Sequence, residues 1–194
     1  MDRSFHGRTL ATLAATAQPA KQEAFQPLPG GFLHVPMNDL NALHQAVYNN
    51  LADVCAVMIE PVQGEAGVRP PVPGWLEALR RRYDVAQFCR KNGLLLIVDE
   101  VQSGIFRCGE FPFAFQNLGI TPDIITMAKG IASGFPMGAC AARIEVAEAF
   151  EPGDHGSTFG GSNLAMAAAH ATLATLSRGH YDDRVTEVGD YFAE

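Results

Sequence analysis

Four short apolar runs, each broken off by a charged or glycine-rich stretch, constrain this chain more than any other feature. They cover Val54 to Ile59, Leu94 to Val98, Ile124 to Met127 and Met137 to Ala142, and segments of helical period alternate with them. That layout belongs to a parallel sheet covered by helices, so the expected class is α/β, with a mainly parallel sheet flanked by helices. Runs that are apolar throughout predict strands buried on both faces. The first three end in chemistry, at Glu60-Pro61, at Asp99-Glu100 and near Lys129. Open sheets of this class bind ligands beyond the carboxyl ends of their strands, which gives Glu60, Asp99 and Lys129 one expected address.

Between the first two runs, Leu76, Leu79, Tyr83 and Ala86 recur at helical spacing and predict a crossover helix that stops at Asn92-Gly93. Asn163 to Leu176 is alanine-rich and predicts a helix entered from the glycine-rich stretch Gly153 to Gly161, with Asn163 available as its cap. Arg184 to Glu194 predicts another helix, and Gln18 to Pro36 reads as a Pro/Gly-punctuated loop. At 194 residues and 47% hydrophobic content the chain can bury a substantial core as one globular domain. Its net charge of -7 comes from acids spread along the chain, which argues against nucleic acid as a partner. Cys55, Cys89, Cys108 and Cys140 are far apart, with no CxxC pair for a metal and no dense framework for disulfides. The N-terminus has no apolar stretch of a secretory signal and no segment is apolar for the length of a bilayer, so a soluble, cytoplasmic protein without a membrane partner is expected.

An apolar strand ending in two acids, LLLIVDE over Leu94 to Glu100, also describes the metal-binding strand of P-loop ATPases. That reading needs GxxxxGK[ST], and the string occurs nowhere in the chain. Lys129 lies thirty residues after Asp99, just past the third run and ahead of Ala132-Ser133-Gly134. A lone lysine is ordinarily a solvated surface group. A strand-end lysine and a strand-end aspartate at one edge of a parallel sheet, however, match what a pyridoxal cofactor demands: an amine to bind its aldehyde and a carboxylate to keep its ring nitrogen protonated.

The chain resembles the class III, ornithine-type aminotransferases over nearly its whole length. The likeness is carried by SFHGRTLATLAAT (Ser4 to Thr16), VMIEPVQGEAGV (Val57 to Val68), LLIVDEVQSG (Leu95 to Gly104), TPDIITMAKG (Thr121 to Gly130), GFPMGA (Gly134 to Ala139) and HGSTFGG (His155 to Gly161). The resemblance implies pyridoxal 5'-phosphate as cofactor and Lys129 as the catalytic lysine that holds it. It implies Asp99 at the pyridine nitrogen, with Glu100, Val101 and Gln102 also in the cofactor site, Val101 against one ring face and Gln102 near the ring hydroxyl. Phe5 would stack on the other ring face. Arg8 would grip a substrate carboxylate as a planar fork, and Glu65 would admit alternate substrates by pairing with a distant arginine. Ser157 and Thr158 would reach across a homodimer interface, the threonine to the cofactor phosphate and the serine towards substrate. The reaction implied moves an amino group from an omega-amine such as N-acetylornithine to a keto acid, 2-oxoglutarate. Ornithine, 4-aminobutyrate and other omega-amino acids remain alternative donors, and a non-catalytic remnant is the rival of another kind.

Residues 1–194 then correspond to a partial large, cofactor-binding domain, with the phosphate-loop region expected before Met1 and a small domain after Glu194. On that expectation the isolated chain binds cofactor weakly and turns over little. Three departures from the family pattern stand out. Ser162-Asn163 replaces the Asn-Pro usual at that helix entry, the helix before Leu94 is about six residues longer, and one residue is added near Phe111-Pro112.

Overall fold

The computed structural model of the chain describes residues 1–72, 85–179 and 181–194. It divides into two compact units, Met1–Leu96 and Ile97–Glu194.

In the first unit, helix α1 (Leu10–Ala15) buries Leu13, Ala14 and Ala15. Its entry is tied by Thr9, whose N–H donates to Thr12 Oγ1 at 3.1 Å. The segment before it is held as firmly. Ser4 is fully buried, and its Oγ donates to Ala15 O and accepts from Ala17 N–H, both at 3.3 Å. Helix α2 (Leu40–Asn49) starts where Asp39 Oδ1 accepts from Ala42 N–H at 2.9 Å, which satisfies one of the orphan donors of its first turn. Leu43 and Val47, four residues apart, form its buried face. Strand β1 (Ala56–Ile59) points Val57 and Ile59 inward. Helix α3 (Val85–Asn92) leads to β2 (Leu95–Asp99), whose first residue donates from Leu95 N–H to Cys55 O at 2.9 Å.

The predicted stop at Asn92-Gly93 is where α3 ends, and Gly93 takes φ 69°, the left-handed turn that a helix exit favours and that costs a glycine nothing. Leu76, Leu79 and Tyr83 of the predicted crossover helix lie outside the described residues, as does most of the added length expected there.

The second unit contains the end of β2, helix α4 (Ala114–Asn117), strands β3 (Ile124–Met127) and β4 (Ala139–Ala142), and helices α5 (Asn163–Arg178) and α6 (Tyr181–Ala193). Strands β2 and β3 pair in parallel with Ile97 opposite Ile124 and Asp99 opposite Thr126. Strand β4 returns antiparallel to β3, Met127 facing Ala139, so the sheet is mixed at this end. A 3-10 turn, Lys129–Ala132, follows β3, and its Ile131 and Ala132 are buried with Ala169 of α5. Alanines along α5 let the helix approach that turn closely.

The four strands fall within the apolar runs or within one residue of them. Burial on both faces does not hold throughout: β1 alternates buried with half-buried residues, and β4 is exposed from Cys140 to Ala142. An antiparallel end strand needs cover on one side only. The cap of α5 also differs, since Asn163 is the first helical residue and Ser162 holds the N-cap position without a side-chain cap bond. Gln18 to Pro36 contains a helical turn at Pro19–Gln22 and a 3-10 turn at Glu23–Phe25. Among the described residues no helix is long and apolar enough to cross a membrane.

After β2 the chain turns tightly at Gly104. A Cβ added there would lie 2.8 Å from Glu100 O and 3.1 Å from the Phe113 ring. Gly104→Ala is expected to cost about 1–3 kcal/mol of stability by overpacking. Gly189→Ala in α6, where an added Cβ meets nothing within 4 Å, is expected to gain about 0.5–1 kcal/mol. Urea unfolding of the two variants beside the wild type measures both.

Candidate functional site

The carboxyl ends of β2 and β3 bring two of the expected residues to one edge. Parallel pairing sets Asp99 beside Thr126, and Glu100 N–H donates to Thr126 O at 2.9 Å, so the register persists past the end of β2. Lys129 lies three residues beyond Thr126 on the neighbouring strand. Asp99 is 5% exposed, a carboxylate placed where only a built environment tolerates it. Its Oδ1 accepts from Val101 N–H at 3.0 Å, which fixes how the carboxylate points from the strand end.

Lys129 is exposed and adopts φ 50°. A non-glycine residue in the left-handed region costs about 1–3 kcal/mol and persists where its surroundings demand it, most often at functional sites. Here the demand comes from the 3-10 turn, in which Ile131 N–H donates to Ala128 O at 3.2 Å and Ile131 anchors in the core. Thr126 adds an observation that the sequence does not signal: its Oγ1 is buried and has no hydrogen-bond partner. Cross-strand partners carry side chains on the same face of a sheet, so this hydroxyl and the Asp99 carboxylate share a face. An orphan hydroxyl and a buried carboxylate, with a lysine three residues beyond the hydroxyl in the chain, suit a polar aromatic aldehyde such as pyridoxal phosphate.

Glu100 is also buried, at 1% exposure. Its Oε2 accepts from Ser103 Oγ at 2.6 Å and from Ala114 N–H at 3.2 Å, and its Oε1 accepts from Phe115 N–H at 2.8 Å. The carboxylate therefore closes the loop from β2 to the start of α4 and satisfies two of that helix's first N–H groups. Val101 and Gln102 are half-buried in the turn so held. Desolvation pushes the Glu100 carboxyl above its ordinary range. The bonds from Ser103, Phe115 and Ala114 oppose that rise, and the nearby Asp99 charge adds to it.

Phe5, Arg8 and Glu65 belong to the first unit. Glu60, at the end of β1, accepts from Phe5 N–H through Oε2 at 3.0 Å, and Gln63 Nε2 donates to Asp2 O at 2.8 Å, so the segment carrying Phe5 is stitched to the loop after β1. The Arg8 guanidinium lies 5.5 Å from the centre of the Phe5 ring. Lys21, in a stretch read from sequence as loop, places Nζ 4.5 Å from the same centre and pairs with Glu65 Oε2 at 3.1 Å. Glu60 was legible as a strand-end acid, whereas Lys21 carried no sequence signal. Ser157 and Thr158 are exposed in the turn before α5, where Gly160 N–H donates to Ser157 O at 3.3 Å.

Comparison with known proteins adds an independent line. The family profile "Aminotransferase class-III" matches residues 1–194. An acetylornithine aminotransferase of Methanopyrus kandleri is 54% identical over 172 residues, covering 89% of this chain and 42% of that protein. One from Corynebacterium efficiens is 47% identical over 190 residues, covering 98% of this chain and 45% of that protein. The crystal structure of ornithine aminotransferase from Toxoplasma gondii superposes with a TM-score of 0.88 at 33% identity, over 98% of this chain and 44% of that one. The chain thus spans less than half the length of the relatives it matches, and its α/β fold with a mostly parallel sheet is theirs.

The raised Glu100 carboxyl carries a pH dependence of defined sign. The folded state holds its proton to higher pH than the unfolded state does, so native protein binds more protons between the two values and stability falls as pH rises through that window. Urea unfolding across this range is expected to show wild type losing stability relative to Glu100→Gln as pH increases. A difference between the two that does not change with pH would contradict the assignment.

Proposed function

The chain belongs to the class III aminotransferase family, and from that premise we propose that the protein is a pyridoxal 5'-phosphate-dependent transaminase that moves an amino group from N-acetylornithine to 2-oxoglutarate. The observation that carries the reading is the parallel register of β2 with β3, which gives Asp99 and Lys129 one strand-end edge. The acetylornithine aminotransferases among its relatives support the choice of donor. When bound, the cofactor supplies a cationic ring that withdraws electrons from the substrate carbon bonded to nitrogen.

This chain's residues have the remaining tasks. Lys129 Nζ would hold the cofactor and, when the amine substrate has freed it, would act as general base towards the proton of the substrate carbon and as general acid within the same half-reaction. Asp99, oriented by Val101 N–H, would hold a proton on the ring nitrogen. Val101 and Gln102 follow it at the site, and Glu100 sets their position through the loop it closes. Phe5 would stack on the cofactor ring and Arg8 would bind the substrate carboxylate as a bidentate fork. Ser157 and Thr158, exposed before α5, serve the neighbouring active site of a homodimer, and Glu65 adjusts the substrate side.

Ornithine is the second donor to consider, because the ornithine aminotransferase of Toxoplasma gondii matches this fold over nearly the whole chain. Parallel assays of the whole protein with N-acetylornithine, ornithine and 4-aminobutyrate separate the donors, and N-acetylornithine is expected to give the highest kcat/KM.

The test of the chemistry is direct. Addition of pyridoxal phosphate is expected to give a yellow protein, and borohydride reduction followed by peptide mapping is expected to mark Lys129. Lys129→Ala should lose both the colour and the label, and in the whole enzyme should lose at least about a thousandfold in activity, the weight of a nucleophile that is also the acid-base group. Labelling of another lysine, or an active Lys129→Ala enzyme, would overturn the reading.

A further inference from the structure

The loop that leaves β2 carries left-handed backbone of its own. Ile105 adopts φ 56° and Phe106 φ 60°, and for a β-branched residue such as isoleucine that region is a genuine outlier. Hydrogen bonds on both sides hold it there. Gly104 N–H donates to Glu100 O at 2.9 Å, and Phe106 N–H donates to Pro112 O at 3.0 Å. Strain of this kind persists only where the surroundings over-determine it, and it clusters at active sites and ligand clamps.

The side chain so directed reaches the turn after β3. A Cβ built on Gly130 would lie 3.5 Å from Ile105 Cβ and 3.7 Å from its Cγ2, so the isoleucine stands against the residue that follows Lys129. Ile105 also packs on the buried group of Ile131, Ala132 and Ala169. Lys129 itself is left-handed, at φ 50°. Two strained positions, one in each strand-end loop, therefore meet at Gly130.

We propose that Ile105 is a positioning residue for Lys129: by standing against Gly130 it blocks relaxation of Lys129 to a negative φ, and so keeps the lysine at the strand-end edge it shares with Asp99. The proposal rests on the reading of Lys129 as the cofactor-binding lysine. A left-handed lysine followed by glycine has an easier conformation close by, because a glycine accepts most backbone angles and can absorb the change. Occupied space at Gly130 is what opposes it. Burial of Ile131 and Ala132 anchors the turn beyond that point, and Ile105 supplies the contact at Gly130 itself. Since the loop carrying Ile105 starts from Asp99, the same contact ties the segment of the carboxylate to that of the amine.

Hydrogen exchange of the whole protein without cofactor tests the hold on the turn. The amides of Ile131 and Ser133 donate within it, to Ala128 O and Gly130 O, whereas Arg143 N–H donates to Asp123 O at the other end of β3. Ile105→Ala is expected to speed exchange at Ile131 and Ser133 at least about tenfold and to leave Arg143 at its wild-type rate, as local opening requires. With pyridoxal phosphate added, imine formation at Lys129 is expected to slow about tenfold or more, since a misplacement of about 1 Å can cost a hundredfold. Ile105→Val keeps Cβ and Cγ2 and should restore both measurements. Ile105→Gly relieves the strain of its own backbone, so a merely structural role would leave the turn as firm as in the wild type. It is expected instead to behave like Ile105→Ala. Wild-type exchange and wild-type imine formation in either Ile105→Ala or Ile105→Gly would overturn the proposal while leaving Lys129 in its role. Borohydride labelling of another lysine in the wild type would remove the Lys129 reading and the proposal together.

Discussion

Parallel hydrogen bonding between β2 and β3 is the constraint from which the candidate site follows. A parallel pair must end both strands at the same edge, so the residues that leave those ends are neighbours whatever separates them in sequence. Lys129 comes thirty residues after Asp99, yet the register that sets Asp99 against Thr126 fixes it three residues past that point. Continuation of the ladder by Glu100 N–H to Thr126 O carries the same constraint one residue beyond the strand. The adjacent 3-10 turn then holds Lys129 at φ 50°, with Ile131 and Ala132 buried against Ala169. The strained backbone at Lys129 and the packing of α5 are two sides of one arrangement.

Buried carboxylates organise the loops that the strands release. Glu100 accepts three hydrogen bonds, and its raised proton affinity is the consequence of that burial. A buried acid of this kind is tolerated because its acceptor sites are used, and the use here is to bring Ser103 and the start of α4 to the end of β2. Glu60 does similar work in the first unit, taking the Phe5 N–H at 3.0 Å. In both units the acid that ends a strand fixes the backbone of a segment carrying candidate site residues.

The sheet was legible because continuous apolar runs bounded by polar residues have few other uses, and the strand-end edge of Asp99 and Lys129 was legible because an acid and a lysine ended two of them. The helix Leu40–Asn49 was not among the predicted elements, although Asp39 followed by Leu40, Leu43 and Val47 is an N-cap with a helical stripe. Lys21 could not have been found from the chain alone. Its placement depends on Gln22 reaching the carbonyls of α1, a contact between side chain and backbone that periodicity does not encode. Two-sided burial failed at β4 for a related reason: the sequence records how apolar a strand is, and Ala139–Ala142 is apolar enough for either environment. Assignment of Asn163 as a cap failed by one residue, because Ser162 is equally suited to that position.

The measurement that bears most directly on the account is an experimental structure of the protein grown with pyridoxal phosphate. The account predicts continuous density from Lys129 Nζ to the aldehyde carbon, and an Asp99 carboxylate oxygen within about 3 Å of the pyridine nitrogen. Cofactor bonded elsewhere, or a ring whose nitrogen lies beyond reach of Asp99, would contradict it.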